Sequence, residues 1–200
     1  ASIDTNDTFY QAERDYFDEV GPIAEEIVFE YYKELVASKF RAELEAKWGT
    51  QLFALAENQI KGFSPDVIEL MQQENKLVSE YNKLVASAQI EFDGKTLTLA
   101  QMGPYGESTD RETRKKARNT TANFFASNEE KFDDIYDRLV KLRHEIATTM
   151  GFKNYVELGY VNMNRVDYNA EMVSKFRDQV RDFIVPVVAR LYDRQAKRIG

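Results

Sequence analysis

The single histidine of this 200-residue chain, His144, stands directly before Glu145, so that His144-Glu145-Ile146-Ala147-Thr148 begins as the pattern His-Glu-x-x-His does. That pattern works because histidines four apart on a helix reach one zinc ion together, while the glutamate activates the zinc-bound water. Here Thr148 holds the fourth place. Threonine is a poor zinc ligand, and the chain has neither a second histidine nor any cysteine to replace it. The residues therefore read as structural: Phe132, Ile135, Tyr136, Leu139, Ile146 and Met150 form an apolar stripe, and His144 lies to its side, partly exposed. A carboxylate-bridged di-iron bundle fails on similar grounds, since it needs Glu-x-x-His pairs and three residues before His144 stands Lys141. Arg143 falls inside the stripe, which favours a snorkelling stem or a buried ion pair over a contact with substrate.

The other reactive patterns are weaker. No Gly-x-Ser-x-Gly elbow is present to support a small independent hydrolase. The most basic run, Arg111, Arg114, Lys115, Lys116 and Arg118, is interrupted by Glu112 and has little aromatic company, so it reads as a solvated face. With 34 acidic against 27 basic residues and a net charge of -7, the chain repels polyanions on average, and nucleic acid is not expected as a partner. No tract reaches the ~18 apolar residues of a membrane span, and the polar, acidic opening lacks the basic region and apolar run of a secretory signal. A cytoplasmic setting is expected, which the cysteine-free composition permits. The glycine at position 200, placed after a long helical pattern, reads as a helix stop whose following segment is missing, and both ends are expected to be internal to a longer chain.

The elements that must position these residues are mostly helical. Phe9, Ala12, Tyr16, Phe17 and Val20, then Ile23, Ile27, Tyr31 and Leu35, predict two helices or one kinked helix over residues 8–46, interrupted at Gly21-Pro22. A shorter helix is predicted over 48–61. Ser64-Pro65-Asp66 starts another, whose apolar face carries Val67, Leu70, Met71, Leu77, Tyr81, Leu84 and Val85. At Gln89 the period changes to two, and Ile90, Phe92, the Asp93-Gly94 turn, then Thr96 to Leu99 predict a β-hairpin over about 89–99. Thr109 with Glu112, and Ser127 with Glu130, are spaced as capping boxes ahead of two further helices. Gly151 should stop the second of these. A short helix follows over Tyr155 to Tyr160, and a long one over about 170–199. The expectation is a mainly α fold, an elongated multi-helix assembly with one small hairpin: helices in 1–88, the hairpin in 89–100 and helices in 108–200, in one helical region.

Several runs resemble the oligoendopeptidase F family when taken in order: Ile90-Glu-Phe-Asp-Gly-Lys-Thr-Leu-Thr-Leu, Asp110-Arg-Glu-Thr-Arg-Lys-Lys-Ala, Ile135-Tyr-Asp-Arg-Leu-Val-Lys-Leu-Arg-His-Glu-Ile-Ala, Gly151-Phe-Lys-Asn-Tyr-Val-Glu-Leu-Gly-Tyr and Arg165-Val-Asp-Tyr-Asn-Ala-Glu-Met-Val. Phe183-Ile-Val-Pro-Val-Val and Leu191-Tyr-Asp-Arg-Gln-Ala-Lys-Arg-Ile-Gly extend the likeness to the last residue. The resemblance implies a segment of a zinc-dependent endopeptidase of the thimet oligopeptidase type, in which a deep channel admits oligopeptides and excludes folded proteins. It also implies that the zinc motif lies C-terminal to everything in this chain. No catalytic or metal residue can be carried over, and this chain alone is expected to bind no zinc and cleave no peptide. The expected partners are oligopeptides and the C-terminal catalytic part of the same protein, with this region as wall or lid of the channel. Substrate contacts, if this region makes any, are expected in the polar and aromatic segment Tyr160, Asn162, Asn164, Arg165 and Tyr168, whose plainer reading is a helix end, its caps and a loop. The competing expectation is a non-enzymatic helical protein-interaction module.

Overall fold

The computed structural model describes residues 4–199; the expected helix stop at Gly200 and the first three residues of the acidic opening lie outside them. In chain order the elements are α1 (Thr8–Val36), α2 (Arg41–Trp48), α3 (Gln51–Gly62), α4 (Ile68–Ala86), strands β1 (Ile90–Phe92) and β2 (Lys95–Leu97), the single turn α5 (Gly103–Gly106), α6 (Arg111–Ser127), α7 (Glu129–Thr149), α8 (Tyr155–Asn162), α9 (Ala170–Gln179) and α10 (Val185–Ile199). The fold is mainly α with one antiparallel hairpin, as expected.

Helix α1 departs from expectation, because it runs unbroken through Gly21-Pro22. Proline has no N–H to give the carbonyl four residues back, which here belongs to Asp18. That carbonyl receives the side-chain amide of Asn75 at 3.2 Å, and the next one, of Glu19, receives that of Gln72 at 2.7 Å. Asn75 thus replaces the donor that the proline removes, and Gln72 adds a second tie from α4 to the same turn. The same contact buries Asp18, whose carboxylate accepts from Arg14 Nε at 3.2 Å and from the Ser79 hydroxyl. A second correction follows: the face of α1 turned to its neighbours carries Asp18 and Pro22, while Phe9, Tyr16, Phe17, Ile23, Ile27 and Tyr31 are exposed.

The helix predicted over 48–61 begins later. Trp48 ends α2, Gly49 turns the chain at φ 85°, and α3 starts at Gln51. Ser64 caps a 3₁₀ turn, Pro65–Val67, that leads into α4, and Val67 and Leu77 are buried as predicted. The hairpin pairs Ile90 with Leu97 and Phe92 with Lys95 around Asp93 and Gly94, both at positive φ (53° and 70°), which is the conformation Asp-Gly favours. It is shorter than predicted, because Thr98 and Gln101 hydrogen-bond each other's backbone and side chain, starting a 3₁₀ turn at Ala100.

Neither capping box forms. Asp110, one residue later than Thr109, caps α6 by accepting from the Thr113 N–H (2.8 Å) and hydroxyl (2.6 Å), a shorter and charged acceptor prevailing over the threonine. Ser127 lies inside α6, and Asn128 joins α6 to α7 with its amide donating back to the Phe124 carbonyl at 2.9 Å. Gly151 does stop α7: at φ 83° it lets its own N–H reach the Thr148 carbonyl (3.0 Å) and the Phe152 N–H reach that of Ala147 (2.9 Å), the paired bonds of a Schellman end. In α7, Ile135, Leu142, Ile146 and Ala147 are buried, whereas Tyr136, predicted on the same stripe, is 72% exposed.

Two apolar clusters hold the described residues together. The larger joins Val67 and Leu77 to Leu142, Ile146 and Ala147 of α7 and Leu158 of α8; the smaller joins Ile90 and Phe92 of the hairpin to Met102 and Ala117. Neither includes the last 30 residues. From Ala170 to Ile199 no residue is buried, and Phe176, Phe183, Leu191 and Tyr192 are exposed along the rod. The rod is one helix as predicted, except that Val180–Ile184 widens into a π-turn ahead of Pro186. The accessible surface is 14640 Å², against about 9,700 Å² for a compact monomer of this mass. The shape is elongated, and roughly a third of its surface is in excess of what a closed globule exposes.

Candidate functional site

The segment Tyr160 to Tyr168 begins as a helix end. The Asn164 N–H donates to the Val161 carbonyl (2.8 Å) and the Arg165 N–H to that of Tyr160 (3.2 Å), with Asn164 at φ 54° in the place where Gly151 stands at the end of α7. Asparagine tolerates that left-handed conformation better than other side-chain-bearing residues. Its side chain then anchors the turn to α3. The Asn164 Oδ1 accepts from Gln59 Nε2 at 2.9 Å and from Asn58 Nδ2 at 3.2 Å, and Asn58 Nδ2 also gives to the Val161 carbonyl at 2.7 Å. Asn58 is 7% exposed, so these acceptors replace the water it has lost.

The close approach of α3 to α8 depends on Gly62. A Cβ there would meet Asn162 Oδ1 and Val161 Cγ1, each at 3.3 Å. Between α1, α3 and the end of α8 lies a groove of about 410 Å³ lined by Val28, Phe29, Phe63, Asn58, Asn162 and Glu25 among others. Loss of solvation in this groove raises the Glu25 carboxyl above its ordinary value, although much of the residue's surface remains open.

On the other side of the same turn, the Arg165 guanidinium lies over the ring of Tyr160 at 4.4 Å and near that of Tyr168 at 5.5 Å. All five sequence-predicted residues thus come together at one end of α8. Asn162 and Asn164 face α3 and the groove, and Arg165 forms an aromatic clamp with the two tyrosines. Sequence reasoning missed Asn58, Gln59, Gly62 and Glu25. The available signal was a pair of amides directly after the apolar run Leu52 to Ala56 and Glu57, followed by a glycine at the helix end.

The chemistry of the donor set does not fit a zinc centre. His144 is exposed, and Thr148, the residue at the second ligand position, turns its hydroxyl back to the carbonyls of His144 (3.0 Å) and Glu145 (3.1 Å). Among the described residues, no group of three or more His, Cys, Asp or Glu side chains could hold a metal ion. Arg143 makes the ion pair that its place in the stripe suggested, with its Nε 2.7 Å from Glu74 Oε1 across α4 and α7. Burial would lower its pKa, but the hydrogen bond and charge of Glu74 outweigh that and hold it above the ordinary value. Among the described residues, no helix is long and apolar enough to cross a membrane.

Residues 1–63 match the Peptidase M3 N-terminal domain, and residues 105–199 match Peptidase family M3. No curated protein matches the chain. Among solved structures, Pz peptidase A with an inhibitor is 58% identical over 100% of this chain and 35% of its own, with a TM-score of 0.93. A structure of a protein assigned as oligoendopeptidase F is 52% identical over 99% of this chain and 35% of its own, and one so assigned from Bacillus anthracis is 51% identical over 100% and 37%; both have a TM-score of 0.93. The chain spans little more than a third of the length of each.

Proposed function

Because this chain belongs to peptidase family M3 as an oligoendopeptidase F-like segment, we propose that it is the non-catalytic, N-terminal helical part of a zinc-dependent oligoendopeptidase. In this reading it forms wall or lid of a channel in which the parent hydrolyses internal bonds of short peptides. A wall of helices selects by exclusion: a flexible peptide can thread between them and a folded chain cannot. Zinc belongs to the remainder of the parent, since the donors here do not fit it, and the cytoplasm is the proposed setting.

The observation that carries this reading is the pair of uncovered apolar stripes, Phe9 to Tyr31 on α1 and Phe176 to Tyr192 on the rod. Contiguous apolar surface of this extent marks an interaction site. The excess of about 5,000 Å² over a compact monomer has the scale of an obligate interface. The matched structures are almost three times the length of this chain, so the remainder of the parent is the occupant we assign to both stripes. Tyr160, Asn162, Asn164, Arg165 and Tyr168 are the proposed contacts with peptide.

The test compares the chain alone with a longer protein that contains it, using an internally quenched peptide for activity and metal analysis for zinc. The longer protein should bind about one zinc per molecule and cleave the peptide, and the chain alone should do neither. Stoichiometric zinc or cleavage by the chain alone would overturn the proposal. A longer protein with neither property would leave the helical interaction module as the reading.

A further inference from the structure

Four arginines of the described chain are half-buried: Arg41, Arg114, Arg143 and Arg165. Three of them have their acceptors within the fold. Arg41 pairs with Glu45 (2.9 Å) and Glu57 (2.7 Å), Arg143 pairs with Glu74, and Arg114 gives to the carbonyls of Ser108 (2.6 Å) and Thr109 (3.0 Å). Arg165 differs. What holds its guanidinium is aromatic, Tyr160 and Tyr168, and among the described residues no carboxylate or carbonyl accepts from it.

Rings stabilise a cation through the flat face of the guanidinium without neutralising its charge or occupying its N–H edge. That edge is a rigid fork matched to a carboxylate. The backbone beneath it is fixed as well, because the Arg165 N–H closes the end of α8 and the preceding residue is bonded to α3. A cation held in place before its partner arrives loses little freedom on binding. The net charge of -7 disfavours extended polyanions, so a single carboxylate suits the site better than a nucleic acid.

We propose that Arg165, clamped between Tyr160 and Tyr168, is a binding site for the carboxylate of a short peptide, engaged by a two-pronged hydrogen-bonded ion pair. The proposal rests on the oligopeptide reading above and assigns Arg165 a part in it: recognising a negative end or side chain rather than only packing the turn.

The experiment uses the longer protein that contains this chain and an N-acetylated, backbone-methylated hexapeptide, which binds without being cleaved, as free acid and as C-terminal amide. Hydrolysis of an unmodified peptide is measured in parallel. The wild type should bind the acid roughly tenfold to a hundredfold more tightly than the amide, the range for hydrogen bonds to charged groups. R165M should abolish that preference, and R165K should recover only part of it, having charge without the fork. Should R165M fail to fold, R165K and R165Q carry the same comparison. Glu and Gln at the penultimate position identify the source: a preference that follows Glu assigns the site to a side-chain carboxylate, and one that follows the free acid assigns it to the terminus. A wild type indifferent to both, or an R165M variant that keeps the preference, overturns the proposal even if hydrolysis is intact. Loss of hydrolysis with the acid preference retained would instead overturn the peptidase reading alone.

Discussion

Asn75 of α4 donates to the main-chain carbonyl of Asp18, the carbonyl in α1 that Pro22 leaves without its helical donor. A proline that would ordinarily break or kink a helix is accommodated because another helix brings an amide to the gap. The buried side of α1 thus combines this repaired backbone gap facing α4 with an apolar contact at the end of α3, where Phe29 meets Phe63 at 5.3 Å between ring centres.

That relationship predicts a coupled pair of substitutions. N75A should destabilise the chain by about 1–2 kcal/mol, since it leaves a buried carbonyl without a partner. In a P22A background the new N–H at position 22 can serve the same carbonyl, so N75A should cost much less there. Urea unfolding of the four proteins measures the coupling, and equal costs in both backgrounds would remove the Asn75 role.

At the end of α8, N164A should cost about 2–3 kcal/mol, because alanine is strained at positive φ and the amides of Asn58 and Gln59 lose an acceptor. N164G should restore the backbone part only. A glycine variant as stable as wild type would show that the bonds to α3 contribute nothing.

Two carboxyls should give stability opposite pH dependences. Glu25 is raised by burial, so the folded chain holds its proton more firmly than the unfolded one, and ionisation as pH rises above about 4.5 costs stability. E25Q should therefore be more stable than wild type at neutral pH and equal to it in acid. Asp110 is lowered, by the hydrogen bonds of the Thr113 hydroxyl and N–H, so its contribution is present above its ordinary 3.8 and is lost as pH falls through its lowered value. D110N should flatten that acid limb. Thermal unfolding from pH 3 to 7 reads both slopes.

The uncovered rod predicts a contrast between the piece and its parent. A chain with this much uncovered apolar surface should self-associate, and L191E should reduce that association while changing the stability of the chain alone by no more than about 0.5 kcal/mol, as at other exposed sites. In the longer protein the same change should lower both stability and peptide cleavage, because a charge would enter a covered apolar contact. Unfolding and sedimentation of both proteins check this, and an unaffected parent would mean that the stripe stays open.

Much of the fold was legible where local chemistry decides it. The Asp93-Gly94 turn, the Gly151 stop and the Ser64-Pro65 start act within a few residues, and each appears where the sequence places it. The misreadings concern choices made between elements. Phe9, Tyr16 and Ile27 form a regular apolar stripe, yet α1 turns the opposite face to α3 and α4, because Asp18 and Pro22 find partners there. Thr109 and Ser127 have the spacing of caps, but Asp110 and the near-continuous α6 to α7 junction displace them. In the candidate site, the Tyr160 to Tyr168 segment stood out by composition, whereas its anchor at Asn58 and Gln59 lies about a hundred residues away and no local pattern announces it.

The π-turn at Val180–Ile184 has a consequence for the rod as a whole. A π-turn accommodates one residue more than an α-helical turn, and each residue of an α-helix advances the azimuth by about 100°. Each side chain of α10 is therefore turned by about that angle from where an unbroken α-helix would set it. Met172 and Leu191, which an unbroken α-helix would set about 100° apart, are thereby brought to nearly the same bearing. The extra residue acts as a shim that turns the apolar side chains of the second half back towards the face carrying those of the first, so one surface can seat both halves of the rod.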